Sequence, residues 1–355
     1  MSTAVVAPSE EVPAPVRPAP KSRAAVMTLG LFAVAIAVML LSLLSLRFGS
    51  LEVTTSDAWN AVFHYSRDTA TYEETIVHEM RIPRTIIAFF IGGGLAVAGT
   101  VMQGVTRNPL ADPSILGVSA GASFGVTTAI FVLGVSTPSQ FVWFAFPGAA
   151  LASILVYGIA SVGRAGPTPI RLALAGVVMS SLLSSWTSAL LLLSEQTLDL
   201  VRFWSVGSVA GRDLDILWSM APFLIPATLA CLLMGHQLNV LSMGEESARA
   251  LGMNTQRVRL VSSALVVILT GAAVSVAGPI GFVGLATPHI VRSIIGADYR
   301  WILPYSFFVG AALLTSADTL GRVIARPSEI QVGIVMAFVG APFLIILARR
   351  RTVAS

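Results

Sequence analysis

The chain is poor in cysteine, lysine and charge, and each shortage removes a class of protein. Its 355 residues include one cysteine, Cys231. An internal disulfide framework and a thiolate-built metal cluster are therefore excluded, and Cys231 reads as a small apolar side chain within a helix. There is one lysine, Lys21, and it follows Pro20. No G-x-x-x-x-G-K-S/T loop exists, so the chain has no phosphate-cradling site of that type. Charged residues make up 11% of the sequence and hydrophobic ones 55%, against about 25% charged in an ordinary soluble domain. The mean hydropathy of +0.82 agrees. A water-soluble core is limited in size, and a bilayer removes that limit. The pI of about 9.7 does not signal nucleic acid, because the basic residues are scattered between apolar runs rather than gathered on one face.

What remains is a series of apolar runs, each near the roughly 20 residues that span a bilayer as a helix. Ten candidates fall at 26–46, 84–104, 115–135, 141–162, 172–193, 218–237, 258–279, 282–295, 301–317 and 330–348. The eighth is short and contains Pro288, which suggests a broken or re-entrant segment covered by protein. Residues 1–25 carry five prolines with Arg17, Lys21 and Arg23 and read as a flexible cytoplasmic tail. The run from Val26 to Leu46 is too long for a signal-peptide core. Ten crossings place both termini on one side. With that side cytoplasmic, it holds 14 of the 22 basic residues and the other side holds 8, the bias of the positive-inside rule. Among the outer exceptions are Arg81, Arg84, Arg212 and Arg322.

The longest polar segment, 47–80, reads as an extracytoplasmic loop with one short surface helix; it contains Glu52, Asp57, Glu73, Glu74 and Glu79. Gly117, Gly121 and Gly125 form overlapping GxxxG patterns, which let helix backbones approach closely. Gly94 to Pro113 (GLAVAGTVMQGVTRNPLADP) and Gly271 to Pro288 (GAAVSVAGPIGFVGLATP) echo one another, and their opposite directions suggest an inverted repeat.

The middles of the spans hold almost no ionisable residues. Asp318 lies near an outer end, and His236 and Arg259 near cytoplasmic ends. A proton-coupled carrier needs such groups within the membrane; sodium coupling through backbone oxygens stays open. One polar segment, 240–253, contains SMGEESARALGM from Ser242 to Met253. Glu245 and Glu246 suit the first turn of a helix, Ala248 and Leu251 share a face, and Gly252 suits a left-handed stop. An ordinary surface turn is the alternative reading of that segment.

Five motifs in order carry a resemblance: RIPR (Arg81 to Arg84), RNPLADPSILG (Arg107 to Gly117), GEESARALG (Gly244 to Gly252), GPIGFVGLATPHIVR (Gly278 to Arg292) and GAP (Gly340 to Pro342). Over roughly residues 30 to 350 the chain resembles the FecCD family of binding-protein-dependent permeases, which serve iron–siderophore, haem and vitamin B12 importers. The resemblance implies an all-α polytopic membrane protein of type II ABC importer architecture, with residues 26–350 as one permease domain in the inner membrane. It implies a second permease subunit, identical or homologous, two ATP-binding cassette ATPases that hold ATP-Mg, and an extracytoplasmic substrate-binding protein. The chain itself would bind no cofactor and catalyse no reaction.

Carried over residue by residue, Arg81, Arg84 and Arg322 match arginines that dock acidic residues of the binding protein. Gly244, Glu245, Ala248, Leu251 and Gly252 match the segment that seats in the ATPase, with a weaker ionic contact from Arg249. Thr168 and Pro169 fall at a cytoplasmic constriction, although Pro169 stands where the family has a small hydroxyl residue. The following helix offers Ser180, Ser181, Ser184, Ser185, Thr187 and Ser188 as a partly polar pathway wall, with helix packing as the alternative. Asn108, Pro109, Asp112 and Pro113 read as a structural loop, and His289 as a packed or hydrogen-bonded residue rather than a metal ligand. The cargo is expected to be an intact iron chelate, a siderophore first and haem or vitamin B12 next, because no cluster of carboxylates or histidines is placed to strip and hold a bare metal. An ion-coupled secondary carrier or a membrane sensor is the different-class alternative.

Overall fold

The computed structural model describes residues 21–162 and 168–352, without the side chains of 21, 22 and 346–352. Residues 1–20 of the expected tail, and Arg164, lie outside the described residues. The fold is helical throughout that range. The ten expected spans correspond to α1 (Lys21–Arg47), α4 (Ile82–Thr106), α5 (Val118–Leu133), α6 (Pro138–Ser161), α7 (Pro169–Leu193), α9 (Leu214–Leu233), α12 (Thr255–Ala277), α13 (Val283–Ile295), α14 (Tyr299–Ile324) and α15 (Val332–Thr352). Among the described residues, seven helices are long and apolar enough to cross a membrane, and α5, α13 and α15 contribute three shorter apolar stretches.

Five short helices decorate the spans: α2 (Thr55–Phe63), α3 (Tyr72–Ile76), α8 (Glu195–Ser205), α10 (Gly235–Ser242) and α11 (Glu245–Ala250). Two of them, α2 and α3, lie in the 47–80 loop, where one had been expected. Each starts on a capping box, Thr54 with Asp57 and Thr71 with Glu74. That reciprocal bonding satisfies two otherwise orphaned amides, so a polar loop supports two helix starts. A π-helical turn at Val77–Arg81 joins α3 to α4, and the helix runs on from Tyr72.

The centre of the bundle is α4. Of its most apolar stretch 83% is buried, against 6% for α7. Helices α14, α12, α13 and α9 pack around α4, and α5 pairs with α6. Small residues set these distances. A Cβ on Gly121 would strike the Gly148 backbone, and one on Gly125 the Phe144 carbonyl, so two members of the GxxxG series bring α5 onto α6. Likewise, a Cβ on Gly99 would collide with the Gly284 carbonyl, which lets α13 lie against α4. The most exposed helix, α7, presents Leu174, Val178, Leu182, Trp186 and Leu193 outward.

Candidate functional site

The antiparallel helices α4 and α14 fix two polar ends. Nineteen residues separate Arg84 from Gln103 on α4, and Tyr299 from Asp318 on α14. At 1.5 Å per residue each stretch is about 28 Å, close to the hydrocarbon thickness of a bilayer.

One end is built on Arg81, Arg84 and Arg322, all buried. Arg81 donates through Nη1 to the carbonyls of Leu46 (2.8 Å) and Arg47 (2.9 Å), and through Nη2 to that of Leu51 (2.6 Å). It thus caps the C-terminus of α1, where a cation meets the negative end of the helix. Arg84 donates to both oxygens of Asp318 (2.8–3.0 Å) and to Glu329 (2.5 Å). Arg322 Nε stands 3.3 Å from Asp318 Oδ2, and its Nη2 donates to Thr319. Among the described residues its Nη1 has no hydrogen-bond partner. These arginines are therefore engaged within the chain rather than projecting freely, because burial demands counter-charge and acceptors. Sequence reasoning missed Asp318 and Glu329 as their partners. The Asp318/Arg322 spacing of four on one helix was a usable signal; Glu329 gave none.

The same residues line a hollow of about 550 Å³ with Ser50, Tyr72, Glu79, Asp213, Glu329 and Arg212. Among the described residues, Arg212 makes no hydrogen bond or ion pair, and its Nε is buried without a partner. Burial pushes the Arg212 guanidinium below its ordinary pKa. Burial opposes ionisation of Glu329 as well, but the hydrogen bond and charge of Arg84 outweigh it and hold the carboxyl below its ordinary value.

The opposite end carries the 240–253 segment. Gly244 at φ 111° starts α11, and Gly252 at φ 82° follows it, with Met253 N–H donating to Ala248 O (3.0 Å). Glu245 accepts from Arg249 (2.5 Å) and from Arg259 on α12 (2.9 Å). Burial acts against its ionisation, and Arg259 and then Arg249 outweigh that to lower its pKa. Ala248 and Leu251 do not share one fate: Ala248 is fully buried within the chain, while Leu251 is 65% exposed. The three-residue spacing gave them a common face, but the chain stops being helical at Leu251, so only Leu251 is presented outward. Arg249 pairs with Glu245 while remaining exposed.

Between the ends runs a groove of about 640 Å³ between α5 and α7. It is lined by Ser114, Ser119 and Ser123 on one wall and by Ser180, Ser181, Ser184, Thr187 and Ser188 on the other. No charged side chain lines it. Ser185 does not reach the groove; its hydroxyl folds back onto the Ser181 carbonyl (2.9 Å). The wall contributed by Ser114, Ser119 and Ser123 was missed, because those residues sit on different elements in a sequence dominated by alanine and glycine.

Thr168 and Pro169 open α7, with the Thr168 hydroxyl accepting from Arg171 N–H and Pro169 in the first turn. They occupy the cap and first-turn positions that those residue types favour. Asn108 Oδ1 accepts from Leu110 N–H (3.0 Å), and Asp112 Oδ1 from Ser114 N–H (2.8 Å). Asp112 and Pro113 thereby start the 3-10 turn Pro113–Leu116, and Pro109 lies within the same connection. His289 meets Phe343 edge-on at 6.3 Å. Among the described residues no group of three His, Cys, Asp or Glu could hold a metal ion.

A helical bundle with ionic ends and a hydroxyl-lined groove suits a membrane transport permease, and the comparisons place this one among the permease subunits of ABC importers. The chain belongs to the FecCD transport family, whose model matches residues 36–350. It is 42% identical over 297 residues to YfiZ of Bacillus subtilis (strain 168), named a probable siderophore transport system permease protein, covering 83% of this chain and 89% of that one. It is 43% identical over 321 residues to YfmD of the same organism, a permease of an Fe(3+)-citrate import system, covering 90% and 94%. A solved metal-chelate type ABC transporter in an inward-facing conformation superposes with a TM-score of 0.78 at 29% identity, covering 90% of this chain and 98% of that one.

Proposed function

We propose that the chain carries an intact ferric chelate, a siderophore in the first instance, into the cytoplasm as one subunit of an ATP-driven complex. One observation carries the reading: the exposed tip of α11 and the arginine-lined hollow lie at opposite ends of the central α4–α14 pair, about 28 Å apart. An importer needs one partner on each side of the membrane, and this chain offers one surface to each. The α11 end faces the cytoplasm with both termini, as the positive-inside bias supports, and seats Leu251 in an ATPase that holds ATP-Mg. The hollow faces outward in the inner membrane and receives a substrate-binding protein.

Docking uses carboxylates of that protein. Arg212, half-buried at the hollow, is the arginine left to meet them, while Arg81, Arg84 and Arg322 shape the hollow through their internal bonds. A paired permease closes the open side of α7, so that the groove with Ser180, Ser181 and Ser184 becomes one wall of the pathway and Thr168 and Pro169 lie at its inner mouth. Uncharged hydroxyls suit passage of a chelate, since weak hydrogen bonds release cargo that a charged site would retain. The names of the relatives, siderophore and ferric citrate systems, support the cargo class.

The test is reconstitution in proteoliposomes with the ATPase and binding protein. Uptake of a labelled ferric siderophore is expected only with ATP inside the ATPase-bearing face, and Leu251→Asp is expected to abolish it. Uptake driven by an ion gradient without the ATPase would refute the reading.

A further inference from the structure

The end that carries α11 is joined to the first turn of α13 by a chain of side-chain bonds that the spans alone do not require. It starts at Asn239 on α10, the helix immediately before α11. Asn239 Nδ2 donates to Asp298 (2.6 Å), and Asn239 Oδ1 accepts from the backbone N–H of Tyr299 (2.8 Å). The start of α14 is thus clamped to α10. From Tyr299 the chain passes to α13: the Tyr299 hydroxyl accepts from Arg292 Nη2 (3.2 Å), and the guanidinium lies 5.5 Å from the centre of the Tyr299 ring. On its other side, Arg292 Nη1 donates to Gln103 Oε1 at 2.7 Å. Gln103, on α4, is 1% exposed.

The remaining half of the Gln103 amide faces α13. Pro288 has no N–H, so the carbonyl of Gly284, four residues earlier, loses its intrahelical donor. Gln103 Nε2 stands over that carbonyl at 3.4 Å and over that of Leu285 at 3.3 Å. One amide therefore accepts from the arginine in the last turn of α13 and donates to carbonyls in its first turn. The absence of a side chain on Gly99, one turn earlier on α4, admits the Gly284 backbone.

The first turn of α13 is where this matters. A cavity of about 310 Å³ is lined by Gly284, Leu285, the turn Pro279–Phe282, and Ser114 and Ser119. Ser114 and Ser119 also line the hydroxyl groove. Asn239, Tyr299 and Arg292 link α10 to α13 through bonds of 2.6–3.2 Å, and Gln103 bridges Arg292 to the first turn of α13, which lines the cavity that shares Ser114 and Ser119 with the groove.

We infer that Gln103 is a positioning residue for transport: with Arg292 and Tyr299 it sets the place of α13 according to the position of α10 and α11, so that ATPase motion alters the groove wall. The inference rests on the importer reading. A competing route is α12, gripped directly by the Glu245–Arg259 pair, and the two routes separate experimentally.

The experiment uses the full complex with its ATPase and binding protein in proteoliposomes, reading chelate molecules taken up per ATP hydrolysed and, separately, the ATPase rate stimulated by binding protein. Gln103→Leu keeps the volume and removes both roles; Tyr299→Phe removes one hydroxyl and leaves the packing. Loss of a charge-assisted hydrogen bond predicts that uptake per ATP falls by about tenfold in Gln103→Leu and by a smaller factor in Tyr299→Phe, with the stimulated ATPase within about twofold of wild type. Gln103→Glu keeps the acceptor for Arg292 and loses the donor to α13, and is expected to fall between them. An unchanged ratio in both Gln103→Leu and Tyr299→Phe overturns the inference in favour of α12, and so does a parallel fall of uptake and ATPase at constant ratio, which marks a merely structural residue. If Gln103→Leu does not assemble, the Tyr299→Phe ratio decides. Failure of the wild-type complex to use ATP at all would count against the importer reading instead.

Discussion

Replacing Asp318 by Asn isolates the energetics of the arginine end. Asp318 is 1% exposed and takes three hydrogen-bond contacts from Arg84 while facing Arg322 Nε at 3.3 Å. The amide is nearly isosteric, so packing is preserved. What changes is charge: among the described residues the two buried guanidinium groups keep Glu329 as their remaining ion-pair partner, and it pairs with Arg84 and not with Arg322. Breaking a buried pair by removing one partner costs about 3–5 kcal/mol, because the remaining charge stays desolvated. An exposed pair provides the comparison. Arg67 and Glu79 approach to 3.6 Å with side chains 86% and 46% exposed, and Arg67→Ala should cost less than about 1 kcal/mol. The assay is reversible unfolding of the purified protein in detergent or bilayer discs, followed by denaturant titration at low and high salt. Asp318→Asn should lower stability by several times more than Arg67→Ala, and the deficit should persist in high salt, since buried charges are poorly screened. Equal midpoints for the two variants would refute the claim that this cluster is a desolvated structural pair.

Two further outcomes follow from the polar ends. Charge reversal at Arg212 should weaken capture of the binding protein and flatten its salt dependence, because the attraction that salt screens is lost, measured by surface-immobilised binding, whereas Arg81→Ala should lower thermal stability through loss of the α1 cap; unchanged capture by the Arg212 reversal would remove the docking assignment. At the other end, the hydrogen bond from Arg300, and then that from Asn239, hold the Asp298 carboxyl at about 2 against burial, below the ordinary 3.8. A depressed folded pKa contributes stability that is complete above the unfolded value and is lost as pH falls through the folded one. The stability gap between wild type and Asp298→Asn should therefore stay constant from pH 8 to about 5 and close between about 4 and 2; a gap that closes near neutrality would show that the carboxylate is not held this way.

Composition and hydropathy alone determined that this is a polytopic helical membrane protein, because 20-residue apolar runs have few other stable homes. All ten apolar runs were legible as helices, since helix formation by such runs depends on local sequence. Gly244 and Gly252 were legible at the ends of α11 for the same reason. Tertiary structure decided who meets whom. Whether Arg84 faces solvent or Asp318, whether Ala248 or Leu251 is presented, and which serines share a groove with α7 all depend on helix packing between residues far apart in the chain. Gln103 shows the limit most clearly. As a single polar residue in an apolar helix it carries no motif, and only the approach of α13 to Gly99 gives its amide an arginine on one side and the carbonyl left open by Pro288 on the other.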